Sequence, residues 1–90
     1  MEIQCSELYE KQLKEILEPM AKANILLAKK FKMYLDTLII NIPTKVKKYK
    51  KSVYFDNDNI KDLEYENYTI VFCVENSNTR FTILGIVEKS

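Results

Sequence analysis

Five lysines fall within seven residues at KVKKYKK, positions 45–51. A lysine ammonium binds phosphate as a mobile point charge and lacks the planar fork of arginine. Lys47, Lys48, Lys50 and Lys51 together would give salt-sensitive, sequence-blind affinity for a phosphate backbone. Charge runs more often serve as solvated connections, and that use also suits the pattern. Tyr49, inside the run, has two corresponding uses: stacking on a base, or packing on the adjacent helix. Lys61 and Arg80, the chain's single arginine, are the other basic candidates. Each has an ordinary alternative, Lys61 as a cross-strand partner of an acidic neighbour and Arg80 as a solvated strand-end charge.

The side chains that are missing narrow the chemistry further. There is no histidine, the residue whose unperturbed pKa lies nearest neutrality and the commonest general base and metal ligand. Ser-His-Asp, Cys-His and His-ligated metal chemistry are excluded. Gly85 is the only glycine, so no glycine-rich phosphate loop exists. Cys5 and Cys73 lie far apart without a CxxC companion, too sparse for a disulfide framework or a zinc site. They are expected to be reduced, small apolar core residues. No metal and no cofactor is expected. Tyr54, Tyr65 and Tyr68 are expected to pack rather than act as acids.

Ninety residues make one domain, 1–90, able to bury roughly 60–65% of its unfolded surface around a single core. A net charge of +1 gives no global steering, so an electrostatic partner must meet a local patch. The opening MEIQCSELYEK has no basic region followed by an apolar run, hence no signal peptide is expected. No apolar run reaches the roughly 18 residues of a bilayer span. The expected location is the cytoplasm, away from membranes.

EIQC (2–5) alternates and suits an opening strand. Ser6 can cap a helix on which Tyr9, Leu13, Ile16, Leu17 and Met20 recur at spacings of four and three, with Glu7 and Glu10 near its positive end. Pro19 is expected to kink or end this helix. Asn24 can cap a second helix, whose apolar stripe is Leu27, Ala28, Phe31, Leu35, Leu38 and Ile39; Pro43 stops it. SVYF (52–55) is a strand candidate and DNDN a turn. IKDLEY (60–65) and YTIVFCVE (68–75) read as a hairpin about Glu66-Asn67. Asn76-Ser77-Asn78 is a further turn before a last strand, TRFTILGIV (79–87). The helical hairpin must cover its apolar side with the sheet, giving a two-layer α+β fold: N-terminal strand, helical hairpin, then a sheet meander.

In this order, the segments resemble toxins of the RelE/ParE superfamily, the small toxins of type II toxin–antitoxin pairs associated with plasmid stabilisation and growth inhibition. The resemblance spans the chain. MEIQCSELYEKQLKEI resembles the opening strand and first helix. YKKSVYFDNDNIKDLEYENYTIVFCV resembles the middle strands, and FTILGIVEKS the last. The family fold, a helical hairpin on a mostly antiparallel sheet, is the RelE-like form of the architecture just described. The departures bear on activity. Lys61 stands where many members have arginine, and Thr69 where ribosome-dependent mRNA-cleaving members have arginine. Lys89 falls near a basic C-terminal position, without the His or Tyr that cleaving members often place beyond it.

Three functions follow from the resemblance. The first is growth inhibition by ParE-like binding to DNA gyrase, needing no catalytic residue in the toxin. The second is RelE-like cleavage of mRNA on the ribosome, with Lys61, Arg80 and Lys89 as the transition-state cations. The third is a non-toxic member that only binds antitoxin. In all three, a cognate antitoxin is the implied partner. Leu26 and Tyr34, on the outer side of the helical hairpin, are candidates to hold its amphipathic helix. A sheet edge at 52–55 is a second docking line. The target-facing candidates are Lys47, Lys48, Lys50, Lys51, Lys61 and Arg80. The acidic run 56–66 is expected to keep such a patch from binding nucleic acid indiscriminately.

Overall fold

A computed structural model describes residues 2–89. The elements are β1 (Glu2–Cys5), α1 (Glu7–Ala23), α2 (Ile25–Ile40), a single turn α3 (Ile42–Lys45), a 3-10 turn at Val46–Lys48, then β2 (Ile60–Tyr65), β3 (Tyr68–Glu75) and β4 (Arg80–Glu88). The sheet order is β1-β4-β3-β2. β2, β3 and β4 run antiparallel, and β1 returns parallel to β4 with Ile3 opposite Phe81. This is the α+β arrangement expected: a helical hairpin on a mostly antiparallel sheet.

The caps act where the residue types place them. Ser6 Oγ accepts from the Tyr9 N–H at 3.0 Å, and Asn24 Oδ1 from the Leu27 N–H at 3.2 Å. Asn24 is the sole residue between the two long helices. Leu13, Phe31, Leu35, Ile39 and Ile42 meet Leu63, Ile70, Phe72, Val74, Phe81, Ile83 and Ile86 in one core. On β3 the alternation is as expected: Ile70, Phe72 and Val74 face the helices, and Thr69 and Val71 lie on the other side.

Four expectations are corrected. Pro19 neither ends α1 nor marks its last turn; the helix continues to Ala23, with Pro19 on the exposed side. The hydrogen bond that proline cannot donate is lost facing solvent, where water satisfies the free carbonyl. Pro19→Ala is therefore expected to raise the unfolding free energy by about 1–3 kcal/mol, read as a higher urea midpoint at unchanged slope. Pro43 does not cut α2, which closes at Ile40; it sits at the start of α3, where proline's fixed φ is helical and its missing N–H is not needed.

SVYF is not a strand. Ser52 Oγ accepts from the Tyr54 N–H and Asp62 Oδ2 from the Val53 N–H, so side chains capture the donors that a ladder would need. Pairing with β2 lies earlier instead, with Ser52 N–H donating to Ile60 O and Asp62 N–H to Lys50 O around a Lys51–Lys61 bridge. The 52–55 docking line is thus no open edge. Finally, the cysteines are free but not core: Cys5 is exposed and Cys73 half-buried. Partial burial raises both thiols above their ordinary pKa, which makes them poor nucleophiles at neutral pH.

A β-bulge fixes the last strand on α1. Phe72 faces Ile83 and Val71 faces Gly85, leaving Leu84 unopposed. Ser6 Oγ donates to the Leu84 carbonyl at 2.8 Å, and the Ile86 N–H donates to Gln12 Oε1 at 2.9 Å. A side chain at Gly85 would meet that same oxygen at 2.8 Å, so a larger residue here would displace the Gln12 amide from the Ile86 N–H.

Candidate functional site

The basic run is a helical turn with two apolar anchors. Val46 and Tyr49, three residues apart, pack against the core. The Tyr49 ring meets Phe72 edge-on, with centroids 5.5 Å apart and planes at 85°. Tyr49 is therefore committed to the sheet and does not offer a free face to a base. Its burial lifts the phenol pKa above the ordinary value. The anchors turn Lys47, Lys48 and Lys50 outward, and all three are exposed. Among the described residues these three form no ion pair.

The other candidate cations are engaged. Lys51 Nζ lies 2.9 Å from Asp56 and 3.6 Å from Asp58, and the hydrogen bond to Asp56 holds its ammonium pKa above the usual lysine value. Lys61 Nζ donates to the Tyr49 carbonyl at 3.3 Å, which ties the base of the run to β2. Arg80 Nε pairs with Glu2 at 3.1 Å, across the parallel β1–β4 register in which these two residues are opposite. Glu2 is held below the ordinary carboxylate pKa by hydrogen bonds from Gln4 and then Arg80. Lys89 Nζ pairs with Glu64 at 3.3 Å.

Lys61, Arg80 and Lys89 are not brought together. Arg80 opens β4 and Lys89 follows its end. Nine residues of strand separate them by about 30 Å at ~3.3 Å per residue. Lys61 alternates with Asp62 so that it shares the side of Leu63 and the helices, whereas Arg80, out of step with buried Phe81, faces the other side. A single phosphate cannot touch all three. Thr69, at the family's arginine position, is only 3% exposed.

The middle of the sheet face turned away from the helices is apolar. Val71, Leu84, Gly85 and Val87 form its floor, and Leu8, Tyr54 and Phe55 its rim, around a cleft of about 240 Å³. The Tyr54–Phe55 rim exists because the chain leaves the β2 edge at Val53, a consequence of the side-chain captures above. Sequence reasoning missed this cleft; reading SVYF as a strand hid it.

The acidic run divides between two places. Asp56 and Asp58 screen Lys51, while Glu66 sits at the far end of β2 in the hairpin turn, with φ 53°. Asp56→Asn combined with Asp58→Asn is expected to free Lys51 and steepen the salt dependence of DNA binding by about 0.9 in log–log slope. Glu66→Gln is expected to change nothing. Filter-binding titrations against salt would check both.

On the helical hairpin, Leu26 and Tyr34 are both exposed. They are eight residues apart, about 80° around the helix axis. Leu26 borders a depression with Leu27, Lys30 and Met33, and Tyr34 borders another with Met20, Tyr65 and Tyr68. Tyr65 and Tyr68 pack on Phe31, at centroid distances of 5.1 and 5.5 Å. A third depression, between α1 and α2, is lined by Leu17, Ala21, Ile25, Met33 and Ile40. α2 is thus apolar on nearly all sides, more than its sheet contact requires. No helix among the described residues is long and apolar enough to cross a membrane, and no cluster of His, Cys, Asp and Glu among them is disposed to hold a metal. No protein-family model matches the chain, and no curated protein matches it.

Proposed function

We propose that this chain is the toxin of a type II toxin–antitoxin pair of the RelE/ParE kind, which arrests growth by binding DNA gyrase and is neutralised in the cytoplasm by a cognate antitoxin. The observation that carries the non-catalytic reading is the dispersal of the cations: Arg80 and Lys89 at opposite ends of β4, with Lys61 on the other face. In-line cleavage needs charge stabilisation and proton transfer at one phosphate, and these residues do not converge on one. Binding needs only surface. The exposed Lys47, Lys48 and Lys50 supply a compact positive edge, and the apolar outer side of α2 supplies a seat for an amphipathic antitoxin helix. The order of strand, helical hairpin and mostly antiparallel sheet supports the family assignment.

The test is induction of a triple variant, Lys61→Gln, Arg80→Gln and Lys89→Gln, with folding checked by circular dichroism. Growth arrest within about threefold of the parent is expected, since the three are half-buried surface charges whose single pairings contribute little to stability. Loss of arrest by a folded triple variant would turn the reading to RNA cleavage. Normal growth with the folded parent chain would leave antitoxin binding as its only role.

A further inference from the structure

A hollow of about 650 Å³ lies between α1 and α2 beside the end of β1, within the ~300–1,000 Å³ of small-molecule sites. Leu13, Leu17 and Ile39 give it an apolar floor. Its β1 end is built by Cys5, Tyr9 and Glu10, with Asp36 contributed by α2. Tyr9 is only 3% exposed, and among the described residues its hydroxyl has no hydrogen-bond partner. A buried hydroxyl left unpaired is costly, and a ligand atom set against it recovers that cost. Burial, and then the neighbouring Cys5, Asp36 and Glu10, hold the Tyr9 phenol above its ordinary pKa, which places all three residues about this hydroxyl.

The charges around the hollow do not balance. Lys14 pairs with Glu18 at 3.8 Å and Lys32 with Asp36 at 2.7 Å. Among the described residues Glu10 has no ion-pair partner. The Cys5 thiol, raised in pKa by partial burial, carries no charge at neutral pH. The uncompensated charge beside the Tyr9 hydroxyl is therefore negative.

We infer that the hollow binds a small primary amine with an apolar tail. The ammonium donates to Tyr9 Oη and pairs with Glu10, and the tail lies along Leu13, Leu17 and Ile39. A carboxylate or phosphate head would meet Glu10 with like charge, and a neutral head would leave Glu10 unmatched. The site does not rest on the toxin reading and is measured on the purified chain alone.

Octylamine, 1-octanol and octanoate share a tail and differ in head charge. In titrations followed by the Leu13 and Ile39 methyl resonances, octylamine is expected to bind at least about tenfold more tightly than octanol, with octanoate weakest. Tyr9→Phe removes only the hydroxyl. It should weaken octylamine about tenfold and leave the free chain at least as stable as the parent in urea, because the group lost has no partner. Glu10→Gln, at an exposed position, should bring octylamine level with octanol. Methyl resonances that do not move, octanoate binding as tightly as octylamine, or octylamine binding indifferent to Tyr9→Phe would each overturn the inference. A lower urea midpoint for Tyr9→Phe would overturn it too, since the hydroxyl would then be satisfied already in the free chain.

Discussion

Phe72→Ala is expected to lower the unfolding free energy by about 3–5 kcal/mol, the range for a large aromatic deleted from a packed core. Phe72 has no exposed surface and sits on β3, which is hydrogen-bonded on both sides by β2 and β4. A chain of this length has a total stability of about 5–13 kcal/mol, so the loss takes about a quarter or more of it. The effect reaches the basic edge because Tyr49 rests edge-on against this ring. The deleted ring would release Tyr49 and, with it, the turn that points Lys47, Lys48 and Lys50 outward. Urea denaturation should show a lower midpoint with an unchanged slope. A loss below about 1 kcal/mol would mean that the site collapses around the deletion and that Phe72 does not anchor the layer.

The second large effect is functional. Lys47→Ala, Lys48→Ala and Lys50→Ala together are expected to abolish growth arrest while leaving the fold intact, each exposed substitution costing within about 0.5 kcal/mol. With duplex DNA as probe, the slope of log affinity against log salt should fall by about 2.7, from ~0.9 per lost phosphate contact. Lys51→Ala is the internal control. Its ammonium already lies between Asp56 and Asp58, so its removal should change the slope little. An unchanged slope in the triple variant would return the run to the role of a solvated connection.

The elements with a strong local signature were legible. Ser6 and Asn24 cap helices because their side chains suit that position, and the alternation of YTIVFCVE sets its two faces without reference to the rest of the chain. Glu66 and Asn76–Asn78 adopt left-handed backbone at the two turns that their composition marks. What failed depended on distant partners. SVYF has the composition of a strand, but Asp62, nine residues on, captures the Val53 N–H and turns the chain out of the sheet. Pro19 breaks helices in general, yet its exposed setting makes the lost bond tolerable. The engagement of Lys51 by Asp56 and Asp58 depends on how the 52–59 loop folds back, which composition does not encode. The pairings of Arg80 with Glu2 and of Lys89 with Glu64 follow from strand order, which no spacing along the chain encodes.

The strand order also decides what the candidate cations can do. Because Arg80 opens β4 and Lys89 follows its end, the strand itself keeps these two cations apart. The parallel return of β1 ties Arg80 to Glu2 at one end of the sheet, and the β2–β3 hairpin holds Lys89 at the other. The apolar cleft between them, floored by Val71, Leu84 and Val87, offers contact area without charge. A surface of this kind suits recognition of a folded protein better than hydrolysis of a phosphodiester.

Pulse labelling after induction of this chain alone in bacteria, following DNA and protein synthesis separately, tests the central claim most directly. An early stop in DNA synthesis while translation continues is the expected result. An early stop in protein synthesis, with mRNA cut at codon boundaries, would contradict it.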